Sequence, residues 1–147
     1  MRRITLFIIH CSATRCGQPY SFEDCRRDHI GFRHFRDIGY HYYITRDGRV
    51  HPGRPLSAEG AHCFGHNRHS IGVCYEGGLD ARGNPKDTRT PEQRSALHLL
   101  VYQLLQQFRN ARVCGHRDLS PDLDGDGKVE PWEWVKQCPC FEVSKEF

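Results

Sequence analysis

The feature that most constrains the fold is an unbroken apolar run near the start of the chain. Residues 4–9 read Ile-Thr-Leu-Phe-Ile-Ile, a mixture of β-branched and aromatic side chains without regular polar alternation. Such a run predicts a central strand covered on both faces. His10 follows at the carboxyl end of this predicted strand, where open α/β sheets bind their ligands. A single histidine in that position is also compatible with a purely structural role.

Two helices are predicted from capping residues and apolar spacing. Ser21 can cap a helix that runs to about Arg36. Residues 90–93 read Thr-Pro-Glu-Gln, a capping box with proline at the first helical position. The second helix has a core-facing stripe at helical spacing, made by Leu97, Leu100, Val101, Leu104, Leu105 and Phe108.

The remaining strands complete a prediction of fold class. An Asp-Gly turn predicts a β-hairpin of residues 40–46 and 49–52. Residues 70–76 and 112–114 predict two further strands. Strands that alternate with helices around one sheet indicate an α/β fold. We therefore expect residues 1–147 to form a single domain with a central mixed β-sheet flanked by helices.

Composition excludes several classes of function. The net charge of +3 gives no reason to expect a nucleic-acid partner, and we expect a monomer. No stretch approaches the ~20 apolar residues of a transmembrane helix, so no membrane partner is expected. The first apolar run is shorter than the about 7–15 residues of a signal-peptide core, so we expect synthesis in the cytoplasm without a signal peptide.

Cysteine and histidine supply a candidate zinc site. Without export, most of the eight cysteines are expected to be reduced and buried. Cys138 is the exception, because it and His116 offer the thiolate and imidazole ligands that zinc prefers. His10 is the best candidate for a third ligand, since His10 and His116 both follow predicted strands. Cys140 remains an alternative to Cys138.

Residues 122–133 predict a separate calcium loop. They match the twelve-residue EF-hand pattern, in which carboxylate and carbonyl oxygens bind the ion and a glycine, here Gly127, allows the sharp turn. The expected ligands are Asp122, Asp124, Asp126, the carbonyl of Lys128, Glu130 and Glu133. We expect calcium to be structural, folding the loop and orienting an exit helix over about 131–136. An acidic solvated turn is the alternative.

Six separated motifs together resemble a known family. They are His10–Thr14, Gly39–Tyr42, Arg46–Gly48, His69–Val73, Gly115–His116 and Lys136–Pro139. In this order they resemble the zinc-dependent N-acetylmuramoyl-L-alanine amidases, and more closely the phage lysozyme amidases, which are related in fold to peptidoglycan-recognition proteins. The resemblance spans residues 4–141. The calcium-type loop departs from the family pattern, since simpler members have a much shorter segment there.

The resemblance implies a substrate and a set of roles. It implies cleavage of the amide between N-acetylmuramic acid and L-alanine in peptidoglycan, after release or non-classical export to the cell wall. Zinc would be held by His10, His116 and Cys138, with catalytic roles for Tyr40 and Lys136. From the residues alone, Tyr40 could equally be a core side chain, and Lys136 an ordinary solvated lysine.

A polar loop over residues 53–69 is expected at the rim of the site. Within it we favour His62 and His69 as substrate-binding groups. Two other functions compete with the enzyme: a peptidoglycan-recognition module without catalysis, and a calcium-dependent interaction protein. Retention of the implied zinc ligands together with Tyr40 and Lys136 favours the enzyme.

Overall fold

A mixed β-sheet forms the centre of the structure, a computed structural model that describes residues 1–147. The elements in chain order are β1 (Leu6–Cys11), β2 (Thr14–Arg15), α1 (Phe22–Gly31), β3 (Tyr42–Ile44), β4 (Val50–Pro52), β5 (Ser70–Tyr75), β6 (Gly78–Leu79), α2 (Pro91–Gln107) and β7 (Arg112–Gly115). The main sheet has the order β4-β3-β5-β1-β7, in which only β4 is antiparallel to its neighbour. The predicted α/β architecture with a central mixed sheet is confirmed.

Strand β1 is central, as its continuous apolar sequence predicts. It pairs in parallel with β5 on one side and β7 on the other, and all six of its residues are buried. The strand starts two residues later than expected and includes His10, because its pairing with β5 continues through His10↔Cys74 and Cys11↔Tyr75. Ile8 and His10 therefore point to one face of the sheet, while Phe7 and Ile9 point to the other.

The two helices cover opposite faces of the sheet. Leu97, Leu100, Val101 and Leu104 of α2 pack in one cluster with Phe7 and Ile9. Full burial of such a side chain contributes roughly 1.5–3 kcal/mol, so α2 is part of the core, as predicted. Cys25 of α1 packs on the other face, with Tyr43 and Cys74. Neither helix has the length and apolar character needed to cross a membrane.

The first helix is shorter than the predicted span from Ser21 to Arg36. Ser21 caps it as expected, but α1 ends at Gly31. The amide of Phe32 donates to the Asp28 carbonyl, and His34 adopts a left-handed conformation with φ of 58°. Glycine has low helix propensity, and the chain turns away just after it.

The predicted exit helix over 131–136 is also wrong. Only a single 3₁₀ turn forms, from Pro131 to Glu133, and Trp134 is extended with ψ of 122°. The amide of Val135 donates to the Ser120 hydroxyl instead of a helical carbonyl. The segment that leads to Lys136 is therefore extended. The hairpin prediction, by contrast, is confirmed by the antiparallel pairing of β3 with β4.

A buried arginine ties the C-terminal segment to the domain. The Arg89 side chain is fully buried and donates to both carboxylate oxygens of Glu146, at 2.6 and 2.9 Å, and of Asp87, at 2.9 and 3.0 Å. Hydrogen bonds from Arg89 lower the pKa of Glu146 from an ordinary value of 4.5 to about 2. A depressed carboxyl pKa stabilises the fold above pH 4.5, and this stabilisation is lost as the pH falls toward 2.

We expect Arg89→Met to lower the free energy of unfolding by about 3 kcal/mol at pH 7, because the carboxylates of Asp87 and Glu146 lose their buried cation. The loss should shrink near pH 2.5, because Glu146 must then release a proton on folding to form the wild-type ion pair, which offsets most of its contribution to stability. Urea unfolding at both pH values measures this difference. The exposed Arg82, which forms no ion pair, provides a matched Arg82→Met control. An equal loss at both pH values would rule out the electrostatic origin.

Candidate metal centre and active site

Three metal-binding side chains meet at one edge of the sheet. Because β1 and β7 are parallel neighbours, their carboxyl ends bring together His10, within β1, and His116, directly after β7. The two ring centroids are 4.6 Å apart. Cys138 approaches from the C-terminal segment, with its Sγ 3.9 Å from His10 Nδ1. Each of the three residues offers one possible metal-ligand atom, and these three atoms all lie within 4.8 Å of one another.

The chemistry of this group fits zinc. Three protein ligands of the imidazole and thiolate type, with a fourth position open, are typical of catalytic zinc sites. The backbone N–H of Cys11 donates to Cys138 Sγ at 3.2 Å, so the sulfur is placed as an acceptor. Burial lowers the pKa of His116 to about 4 and also lowers the pKa of His10. Both imidazoles are therefore neutral at pH 7, the form that binds a metal.

The alternative sulfur ligand lies elsewhere. Cys140 Sγ is 3.9 Å from the sulfur of Cys11 and is not a member of the metal-binding group. The geometry therefore favours Cys138 over Cys140 as the zinc ligand.

Tyr40 and Lys136 both lie close to the candidate ligands. The Tyr40 ring centroid is 5.2 Å from that of His10. Burial raises the pKa of Tyr40 well above 10, so its phenol is protonated at neutral pH. Lys136 is exposed and, together with His116, lines a cavity. After burial, the positive charge of Lys136 is the next cause of the lowered pKa of His116.

The cavity beside these residues has a volume of about 630 Å³ and opens to solvent. His62 contributes to its wall, but His69 lies outside it and lines a separate polar depression with Arg3, Glu59 and Arg68. His66 occupies the cavity wall instead, and its buried Nδ1 has no hydrogen-bond partner. The structure thus brings His62 to the site and leaves His69 apart from it.

Several further wall residues did not follow from sequence spacing. They are Arg33, Phe35, Phe64, Asn67 and Val135. The loop over 53–69 supplies two of these, so its polar, glycine-rich composition was a usable signal. Arg33 and Val135 carried no such signal, because they reach the cavity only through the turn after α1 and the extended segment before Lys136.

The acidic loop 122–133 forms a compact set of carboxylates. Side-chain oxygens cluster within 4.8 Å in two overlapping groups, Asp122 with Asp124 and Glu133, and Asp124 with Asp126 and Glu130. Asp122 accepts hydrogen bonds from the amides of Gly125 and Gly127, both at 2.8 Å. The Oε2 atom of Glu130 is buried without a hydrogen-bond partner. Lys128 is exposed, and its amide donates to Asp126.

Comparisons with known proteins identify the family of the chain. A family model described as "N-acetylmuramoyl-L-alanine amidase" matches residues 1–139. The endolysin of Enterobacteria phage K11 is 36% identical over 139 residues, which cover 95% of this chain and 82% of the endolysin.

Two solved structures share the fold. The endolysin N-acetylmuramoyl-L-alanine amidase LysCS from Clostridium intestinale aligns with a TM-score of 0.70 at 25% identity, covering 94% of this chain and 76% of LysCS. Bumblebee PGRP-SA aligns with a TM-score of 0.72 at 23% identity, covering 95% of this chain and 77% of PGRP-SA.

Proposed function

Because the chain belongs to the N-acetylmuramoyl-L-alanine amidase family, we propose that it is a zinc-dependent hydrolase of the amide bond between N-acetylmuramic acid and L-alanine in peptidoglycan. The convergence of His10, His116 and Cys138 beside an open cavity is the observation that carries this proposal. Endolysin relatives favour action at the cell wall, after release or non-classical export.

The three ligands would hold the ion through two nitrogens and one sulfur. Zinc bound there would lower the pKa of water to about 7 and act as a Lewis acid toward the amide carbonyl. The neutral imidazoles and the N–H of Cys11, which donates to Cys138 Sγ, prepare the ligand atoms for this ion. The protein therefore supplies a pre-organised ligand set.

Lys136 and Tyr40 would act on the reacting groups. As water attacks the carbonyl, negative charge develops on its oxygen, and the Lys136 ammonium on the cavity wall can stabilise that charge. The protonated Tyr40 phenol can orient the attacking water or donate a proton to the leaving amine of L-alanine. The cavity would hold the adjoining substrate, and His62 forms part of its wall.

Mass spectrometry of purified peptidoglycan tests the proposal directly. Incubation with the protein should release stem peptides that begin with L-alanine. A zinc chelator should abolish release, and added zinc should restore it. Release of sugar fragments in place of intact stem peptides would refute the assigned bond.

A recognition module is the second candidate, because PGRP-SA has the same fold. The same incubation separates the two functions. Binding to peptidoglycan by zinc-loaded protein, without released peptide, would favour recognition over catalysis. A calcium-dependent interaction protein would be favoured only if zinc is absent and calcium controls folding.

We further propose that loop 122–133 binds calcium as a structural ion. The carboxylate oxygens of Asp122, Asp124 and Glu133 lie close together, and Glu130 has a buried, unpartnered oxygen. Carboxylates at such distances repel unless a cation neutralises them, and oxygen ligands in this pattern suit calcium. The ordered loop would fix the extended segment that carries Lys136 and Cys138 toward the candidate zinc site.

Calcium removal is expected to lower the melting temperature by several degrees and to weaken zinc binding. At a calcium concentration 100 times Kd, binding stabilises the folded state by about 2.7 kcal/mol. Thermal melts with calcium and with a calcium chelator, followed by zinc titration, measure both effects. Asp124→Asn should reduce the response to calcium.

Asp80→Asn is the matched control for that substitution. Asp80 also accepts hydrogen bonds from backbone amides of its turn, those of Arg82 and Asn84, but no other candidate ligand joins it in a metal-binding group. A melting curve that calcium leaves unchanged would contradict the structural role of the loop.

A further inference from the structure

Both ring nitrogens of His62 are engaged by protein groups. His62 Nδ1 lies 2.8 Å from His10 Nε2, and His62 Nε2 lies 3.2 Å from the hydroxyl of Ser70. Ser70 is completely buried. The three side chains therefore form a continuous chain of contacts that leads from the interior of the sheet to a candidate zinc ligand.

The His62 ring is held in place by close packing. A Cβ atom added at Gly72 would lie 2.6–2.8 Å from atoms of the ring, and one added at Gly60 would lie 2.6 Å from its Cδ2 atom. These distances are shorter than any ordinary contact, so glycine is needed at both positions. The amides of His62 and Cys63 both donate to Asn67 Oδ1 at 3.0 Å, which holds the backbone of the loop.

The proposed zinc site assigns a direction to each hydrogen bond. His10 Nδ1 faces Cys138 Sγ, at 3.9 Å, so this nitrogen is the one aimed at the metal position. A neutral imidazole that offers a lone pair on Nδ1 carries its proton on Nε2. His10 Nε2–H then donates to His62 Nδ1, and His62, with its proton on Nε2, donates to the Ser70 hydroxyl.

The neighbouring His41 does not compete for these bonds. Its ring centroid is 6.0 Å from that of His62, but its Nδ1 accepts from the amide of Gly72 and its Nε2 donates to the carbonyl of Ala58. The His10–His62–Ser70 chain is therefore separate from the polar contacts of His41.

We propose that His62 is a positioning residue, which holds His10 in the tautomer and orientation that present Nδ1 to the zinc ion. This inference rests on the proposed zinc site and deepens it. The positioning role replaces the predicted role of His62 in substrate binding, because neither ring nitrogen is free to form a hydrogen bond with substrate. Side chains that hydrogen-bond to the second ring nitrogen of a metal-binding histidine orient its ring. Their loss typically reduces metal affinity or activity by ~10–100-fold.

Two isosteric substitutions test the role of the Nδ1 acceptor. The side-chain oxygen of asparagine is as many bonds from Cβ as histidine Nδ1, so His62→Asn retains an acceptor for His10. His62→Leu has nearly the same shape as His62→Asn but no acceptor. We expect His62→Leu to weaken zinc binding by ~10–100-fold and His62→Asn to recover most of that loss. Competition with a colorimetric zinc chelator measures the affinities.

Nitrogen-15 NMR of the zinc-free wild type provides a second readout that does not depend on activity or on the folding of a variant. His10 should carry its proton on Nε2, and in a folded His62→Leu protein the two tautomers should become mixed. Wild-type zinc affinity in His62→Leu, or a proton on His10 Nδ1 in the wild type, would overturn the inference.

The two proposals fail in different ways. If the wild type binds zinc and His62→Leu binds it more weakly, but no stem peptide is released, the amidase proposal fails and the role of His62 stands. If His62→Leu keeps full zinc affinity and only its KM rises, His62 contacts substrate and the amidase proposal stands.

Discussion

Cys138→Ala is expected to remove zinc binding and amidase activity while leaving a folded protein. Cys138 supplies the only sulfur in the candidate metal-binding group, and its Sγ lies 3.9 Å from His10 Nδ1. Loss of a direct ligand should reduce zinc affinity by more than the ~10–100-fold that is typical when a hydrogen-bond partner of a ligand is lost. Zinc content after dialysis, peptide release and the melting curve of the metal-free protein together measure the effect.

Cys140→Ala is the matched control, because it removes a nearby thiol that is not in the metal-binding group. We expect this variant to retain zinc and activity. Full zinc content in Cys138→Ala, with loss of zinc in Cys140→Ala, would show that the ligand assignment is wrong. Loss of zinc in both variants would point to local distortion, since Cys140 packs against Cys11 next to His10.

Lys136→Met is expected to lower kcat by ~10²–10³-fold, the usual cost of removing one donor that stabilises a developing oxyanion. Methionine keeps the unbranched aliphatic stem, so the cavity wall is retained while the charge is lost. Because the charge acts mainly in the transition state, KM and zinc content should change little. Steady-state kinetics on a soluble muropeptide, with zinc content measured in parallel, separate these quantities.

Lys86→Met provides the comparison for Lys136→Met, since Lys86 is also exposed and lies outside the cavity. It should leave kcat unchanged. If Lys136→Met lost zinc along with activity, the side chain would be needed to form the metal site, and its assignment to the oxyanion would be wrong. If only KM rose, Lys136 would contribute to substrate binding instead.

The sequence alone determined the features that depend on neighbouring residues. The unbroken apolar run predicted the central strand, the capping box and leucine spacing predicted α2, and Asp47-Gly48 predicted the hairpin. Each of these signals is local, because capping, periodicity and turn conformation involve residues a few positions apart. The six motifs, read together, also predicted the amidase family that the comparisons show.

The predicted bounds of two helical segments were wrong for different reasons. The predicted helix from Ser21 ends at Gly31, a residue of low helix propensity, and Arg33 in the turn that follows lines the cavity. The exit helix after the acidic loop is reduced to one turn, because Val135 bonds to Ser120, fifteen positions away in sequence. No pattern within the segment after the acidic loop indicates this distant partner.

Only the tertiary structure decided how the site is assembled. Spacing proposed His10, His116 and Cys138, but their donor atoms meet because β1 and β7 are adjacent and parallel, and strand order is not a local property. Packing likewise placed His62 against His10 and left His69 outside the cavity. The sequence thus names the chemical groups, and the sheet topology determines which of them meet, because contacts between distant segments depend on how the whole chain packs.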